Sequence, residues 1–115
     1  MRKTICISLL TAVCCFAQAP GALTGNVENG KKLFERNACY QCHGHEGQGG
    51  LSGPRLSQTK FTQTGFTAFV RNPPPSGMPM FREKVMSNQE LADVFAFVKS
   101  IPEPKAAKDI PLLAP

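Results

Sequence analysis

The chain has 115 residues, enough for one small domain, and 42% hydrophobic against 18% charged residues argue against an intrinsically disordered protein. The net charge is +5, and 11 basic against 8 acidic residues, or +3, remain without Arg2 and Lys3. This mild balance, with scattered basic residues, gives no case for nucleic acid as a partner. A domain this small usually needs a covalent cross-link or a bound cofactor to be stable.

Residues 1–22 have the layout of a secretory signal peptide: a basic start, an apolar run over 5–16, and small residues after it. The cleavage point falls within 19–25. The apolar run is shorter than the roughly 20 residues of a spanning helix, so the mature form is predicted to lack a membrane span. Two alternatives are a lipoprotein cysteine at Cys14 and an uncleaved anchor. Export predicts a periplasmic protein.

The next element is a helix predicted over Val27–Ala38. Leu33 and Phe34 are apolar and have charged neighbours on both sides. Gly30 within this helix costs about 1 kcal/mol relative to alanine, which makes sense where another backbone crosses closely.

The segment Cys39-Tyr40-Gln41-Cys42-His43 carries the chemistry. On one helical turn, the spacings i+3 and i+4 put both thiols and the imidazole on the same face. C-x-x-C-H is the attachment pattern of a c-type haem. The cysteines would bind the haem covalently through its vinyl groups, and His43 would ligate the iron.

Two other kinds of site use C-x-x-C. A thioredoxin-like redox pair needs a βαβ context, but the flanking segments here are helical in pattern. A zinc site needs four ligands, and only His43 and His45 stand beside the two cysteines. Cys6, Cys14 and Cys15 fall in the predicted signal peptide, so the remaining pair cannot form a disulfide framework.

A glycine-rich loop follows, and then two more helices. The first is predicted over Thr64–Arg71, with Thr64 as its cap and Phe66, Phe69 and Val70 on one face. A run of three prolines ends it. The last helix begins with the capping box Ser87-Asn88-Gln89-Glu90 and ends at Pro102. Its apolar stripe is Leu91, Val94, Phe95, Val98 and Ile101, with Phe97 flanking. No segment alternates like a strand.

A second axial ligand for the iron must come from elsewhere, because His45 is too close to His43 to reach the other face. Three methionines lie downstream: Met78, Met80 and Met86. Gly77 allows close approach at Met78 and Pro79 stiffens the chain after it. Met80 is two residues on, and spacing does not separate the two.

These residues resemble the small soluble class I cytochromes c of bacteria over about 27–102. The resemblance rests on Cys39-x-x-Cys42-His43, Gly53-Pro54-x-Leu56, Gly77-Met78-Pro79-x-Phe81 and the terminal helix. Met80 departs from the pattern, since many relatives have one methionine here.

The resemblance implies an all-α class I cytochrome c fold, with three to four helices around one covalently bound haem c and its iron. The cytochrome domain would span 26–102, followed by an extended tail over 103–115. The first and last helices would cross, with Gly30 and Phe34 against Phe97 or Phe95.

The resemblance also implies roles at the haem site. Met78 would be the sixth ligand, with Met80 as the alternative, and the Pro54 carbonyl would accept a hydrogen bond from His43. Residues implied to line the haem pocket are Leu56, Phe66, Phe69 and Phe81.

The predicted function is one-electron transfer in the periplasm, with His43 and Met78 as axial ligands and transient redox partners such as a dehydrogenase, oxidase or reductase. One alternative is a cytochrome subunit or dedicated acceptor of a periplasmic dehydrogenase, with the tail as a docking arm. A haem enzyme or gas sensor such as a peroxidase is the other, but it needs an open sixth position and a catalytic acid or base. The protein itself is not predicted to be an enzyme.

Overall fold

The computed structural model describes residues 21–75 and 77–112, so most of the predicted signal peptide lies outside the described residues. The described residues form helices joined by loops, and no β-strand occurs among them, which confirms a helical fold. In chain order the elements are α1 (Val27–Arg36), α2 (Tyr40–His43), α3 (Gln63–Arg71), α4 (Asn88–Ser100) and a 3₁₀ turn (Ala107–Asp109).

Helix α1 begins at an asparagine cap. The Asn26 side chain accepts a hydrogen bond from the Asn29 amide at 2.8 Å. The helix ends two residues before the predicted Ala38, because Ala38 has a left-handed backbone with φ of 56°. The Cys39 amide then donates to the Phe34 carbonyl at 3.0 Å, so the chain turns directly into α2.

Helix α3 is capped by Thr62, not by Thr64 as predicted. The Thr62 hydroxyl accepts from the Gly65 amide at 3.1 Å, and the helix starts at Gln63. Phe66 and Val70 are buried, whereas the predicted third member of that face, Phe69, is 37% exposed.

Helix α4 has the predicted capping box. The Ser87 hydroxyl accepts from the Glu90 amide at 3.2 Å, and the Glu90 carboxylate accepts from the Ser87 amide at 2.8 Å. The helix ends at Ser100, ahead of Pro102. Phe97 is buried in the core, while the predicted stripe residue Phe95 is half-buried.

Helices α1 and α4 cross with close backbone contact, as the resemblance implied. The Phe34 and Phe97 rings pack with centroids 5.4 Å apart. A Cβ added at Gly30 would lie 2.9 Å from the Phe97 Cβ and closer still to the Asp93 carbonyl. Gly30 is therefore required by the crossing itself.

A buried carboxylate joins the same two helices. Asp93 on α4 is 4% exposed and accepts from the Asn26 amide at 2.8 Å and from the Asn29 side chain at 2.7 Å. Gln89 donates to it at 3.0 Å. Burial acts to raise the pKa of Asp93, but these hydrogen bonds outweigh it and hold the pKa below 3.8. No local sequence pattern indicated this role for Asp93.

The core lies between α1, α3 and α4. It contains Leu33, Phe34, Phe66, Val70, Met86, Leu91, Val94, Phe97 and Val98. Residues 103–112 lie mostly exposed, and the predicted extended tail contains the 3₁₀ turn. Within the described ranges, each helix is too short or too polar to span a membrane.

Candidate functional site

The C-x-x-C-H segment forms a single helical turn. Cys39 has helical dihedral angles (φ −57°, ψ −34°), and the His43 amide donates to the Cys39 carbonyl at 3.0 Å. Gly44, with φ of 77°, ends the turn. Because the whole segment is helical, residues 39, 42 and 43 share one face. This is the arrangement that the sequence predicted.

The two thiols differ in environment. Cys39 is half-buried and packs against the core, whereas Cys42 is exposed, and both are free. Burial raises the pKa of the Cys39 thiol to about 11. At neutral pH Cys39 is therefore a protonated thiol rather than a thiolate.

The His43 ring is buried and held by one hydrogen bond. Its Nδ1 lies 2.8 Å from the Pro54 carbonyl oxygen, which is the contact that the resemblance implied. A carbonyl can only accept, so Nδ1 carries a proton, and in the neutral imidazole Nε2 then has the free lone pair. The imidazole is thus fixed in the tautomer that binds a metal through Nε2.

The glycine-rich loop folds back to make that contact. The Gly49 amide donates to the His43 carbonyl at 2.8 Å. Gly53 lies against the ring: a Cβ there would be 3.0 Å from His43 Nδ1 and 2.9 Å from the Cys42 carbonyl. A side chain at 53 would push the loop away from His43. The loop glycines therefore have a local role that their composition alone did not indicate.

Several predicted pocket residues share one neighbourhood with the motif. Leu56 and Phe81 are half-buried and pack against the same core cluster as Cys39. Phe66 is buried and packs on Phe95, with centroids 5.4 Å apart. Phe69 is partly exposed, and its ring lies 5.6 Å from that of Phe61.

Phe61 is 46% exposed, and its contact with Phe69 was not predicted from the sequence.

The three downstream methionines have different surroundings. Met86 is buried in the core at 2% exposure. Met78 is half-buried and packs against the core cluster, whereas the Met80 side chain is 50% exposed. The segment that carries both is held at Phe81, whose amide donates to the Val70 carbonyl at 3.2 Å.

The donor set fits a covalently bound haem. Two thiols three residues apart, an imidazole with Nε2 available, and thioether side chains downstream are the groups that c-type haem uses. Among the described residues, the motif included, no group of three or more His, Cys, Asp or Glu side chains is placed to hold a metal ion. The Tyr40 and His45 rings stack with centroids 4.5 Å apart, so His45 packs on Tyr40 beside the motif.

Comparison with known proteins gives a consistent result. The model of the family described as cytochrome C oxidase, cbb3-type, subunit III matches residues 25–98. Two curated relatives, from Helicobacter pylori strain 52 and Helicobacter pylori, are each named Cbb3-type cytochrome c oxidase subunit CcoP. Each is 30% identical over 82 residues, which cover 65% of this chain but only 28% of the relative. No solved structure gives a significant match.

Proposed function

This chain belongs to the family of cytochrome c oxidase, cbb3-type, subunit III, and we propose that it carries electrons to an oxidase complex through one covalently bound haem c. As a member, it is a c-type cytochrome, an electron-transfer protein that contains haem. The oxidase partner is proposed from the family and from the names of the relatives. The chain matches only a small part of those relatives, so their activity as whole proteins is not assumed for it.

The residues proposed to hold the haem are those of the helical turn. Cys39 and Cys42 would form thioether bonds, and His43 would bind the iron through Nε2. When bound, haem supplies a one-electron redox couple. The Pro54 carbonyl keeps the His43 ring in one tautomer and orientation, which limits ligand rearrangement between the two oxidation states. The chain has one C-x-x-C-H motif, so we expect one haem.

The observation that carries this proposal is the 2.8 Å contact from His43 Nδ1 to the Pro54 carbonyl. In a thioredoxin-like pair or a structural loop, the histidine would need no such support. Here the imidazole is buried, fixed and adjacent to two free thiols.

Met78 is proposed as the sixth ligand. Its half-buried side chain packs against the same core cluster as Cys39, whereas Met80 is half exposed. Methionine and histidine ligands together would raise the reduction potential and would leave no coordination position for a substrate. This supports a carrier over the alternative of a peroxidase or gas sensor.

The location is proposed to be periplasmic, since residues 1–22 have a signal-peptide pattern and c-type haem is attached outside the cytoplasm in bacteria. A freely diffusing carrier and a bound subunit of the oxidase are two forms of this proposal. A bound subunit should copurify with the oxidase, whereas a freely diffusing carrier should be lost when the membranes are washed.

The first experiment tests haem attachment. The full chain is expressed with a bacterial cytochrome c maturation system, and haem is followed in denaturing gels, where only covalent haem stays with the protein. We expect haem in the wild type at one iron per chain, and no covalent haem in the C39A/C42A double variant. Haem that is lost from the wild type on denaturation would refute the proposal.

The second experiment tests the sixth ligand. We expect Met78→Ala to abolish the sulfur-to-iron charge-transfer absorption of the oxidised protein and to lower its reduction potential, while Met80→Ala keeps both. Met80→Ala is the matched control, because it removes the same side chain two residues away. Retention of the band in Met78→Ala with its loss in Met80→Ala would show that the assignment is wrong.

A further inference from the structure

The end of α3 holds the methionine segment through one arginine. Arg71, in the last turn of α3, donates from Nη1 to the Phe81 carbonyl at 2.7 Å. The neighbouring Val70 carbonyl accepts from the Phe81 amide at 3.2 Å. Both sides of the Phe81 residue are therefore tied to two consecutive residues of α3.

The same guanidinium also reaches the start of α4. Arg71 Nη2 donates to the Asn88 side-chain oxygen at 2.8 Å, and Asn88 in turn donates to Glu83 at 3.2 Å. The planar fork of arginine suits two acceptors in fixed directions, which a lysine ammonium cannot match. This network joins α3, the chain after the methionines, and α4.

We infer that Arg71 is a positioning residue that holds the Met78–Phe81 segment in the place from which a methionine reaches the iron. The inference rests on the proposed function. Phe81 is three residues after Met78, and between them only Pro79 and Met80 intervene, so the anchor leaves Met78 little freedom. Arg71 contributes no ligand itself, and its effect is on how often the segment leaves the iron.

This assignment gives Arg71 a role that its helix position alone does not require. Cations are common in the last turn of a helix because they interact favourably with the helix dipole. A lysine would serve the dipole equally, whereas the pair of hydrogen bonds to Phe81 and Asn88 needs the guanidinium.

The test uses Arg71→Gln in the haem-loaded protein, with imidazole as the probe that competes for the sixth position. Loss of a hydrogen bond from a charged donor should tighten imidazole binding to the ferric protein by about 10- to 100-fold. The sulfur-to-iron absorption should weaken, and amide exchange at Phe81 should become faster. Covalent haem attachment should stay unchanged, because the variant leaves the C-x-x-C-H turn intact.

Arg82→Gln is the matched control, since it removes the same charge from an exposed residue directly after the Met78–Phe81 segment. We expect it to change imidazole affinity by less than about twofold. Arg71→Lys should fall between wild type and Arg71→Gln. Asn88→Ala, which keeps Arg71 but removes one of its acceptors, should shift affinity in the same direction by less, and it carries the test if Arg71→Gln does not fold.

The outcomes separate this inference from the proposal beneath it. A wild-type ferric protein without the sulfur band overturns methionine ligation and, with it, the role of Arg71. A wild type with the band, whose Arg71 and Asn88 variants bind imidazole no more tightly than the Arg82 control, overturns the role of Arg71 alone.

Discussion

The Asp93 carboxylate is a buried charge that accepts three hydrogen bonds at the crossing of α1 and α4. Two of its donors come from the start of α1: the Asn26 backbone amide, which has no partner within the helix, and the Asn29 side-chain amide. Asp93 thus caps one helix from another. A buried charge persists at such a point only when its hydrogen bonds offset the cost of desolvation.

We expect Asp93→Asn to lower the free energy of unfolding of the haem-loaded protein by about 1–3 kcal/mol at neutral pH. The asparagine offers one acceptor oxygen where the carboxylate offers two, so one donor of α1 or Gln89 loses its partner. Urea unfolding followed by circular dichroism measures the change. Asp109→Asn, which removes a carboxylate from the exposed 3₁₀ turn, is the control and should change little.

The stability difference between the wild type and Asp93→Asn should also depend on pH. Since the native pKa of Asp93 lies below its ordinary value of 3.8, the carboxylate contributes stability that is fully present above that value. This contribution is lost as the pH falls through the native pKa. The difference between wild type and Asp93→Asn should therefore be constant from about pH 7 to pH 5 and shrink below about pH 4. A difference that grows on acidification would contradict the assignment.

At the same scale, the motif residues could be predicted from the sequence and Asp93 could not. Cys39, Cys42 and His43 lie within five residues, so local helical spacing alone brings them together. The role of Asp93 depends on hydrogen-bond donors more than 60 residues away in the chain, at Asn26 and Asn29. No local pattern contains that information.

Among the elements, α3 shows how a helix start depends on one side chain. Thr64 was predicted as the cap, but the hydrogen bond from the Gly65 amide goes to the Thr62 hydroxyl. The loop before α3 is joined to α4 by a hydrogen bond from Lys99 to the Thr59 carbonyl, a tertiary contact that no local sequence pattern contains. The early end of α1 has a similar cause, because Ala38 turns the chain toward the motif.

We expect Thr62→Ala to destabilise the protein by about 1 kcal/mol, the usual cost of losing an N-cap side chain. Thr64→Ala is the matched control: Thr64 is exposed within the helix, and alanine is the better helix former there. It should be neutral or slightly stabilising. Urea midpoints of the two haem-loaded variants give the comparison, and a larger loss in Thr64→Ala would restore the original assignment of the cap.

Across the whole molecule, one part of the candidate site is formed by residues close together in the sequence, and the other part depends on tertiary contacts. The helical turn and its Pro54 support lie within 16 residues and were predictable from the motifs. The methionine segment depends on α3 and α4 through Arg71 and Asn88, which no motif indicated. The sequence therefore predicted the local geometry of the C-x-x-C-H turn better than the contacts that hold the methionine segment.

The tail after Pro104 contributes little to this arrangement. The hydrogen bonds that define its 3₁₀ turn, from Asp109 to Ala106 and from Ile110 to Ala107, stay within the tail. Leu112 is 95% exposed, and a single exposed leucine is common on protein surfaces, so its exposure does not by itself indicate a partner.

We expect removal of residues 105–115 to leave the free energy of unfolding of the haem-loaded protein unchanged within about 0.5 kcal/mol, because the core lies wholly before the tail. Urea unfolding measures this, and a larger loss would show that the tail packs on the fold. With stability preserved, the truncated protein can be compared with wild type for oxidase copurification. A full-length variant with Leu112→Ser is the control for the exposed side chain. Loss of copurification in both would assign the tail to docking, and unchanged copurification in both would exclude it from the interface.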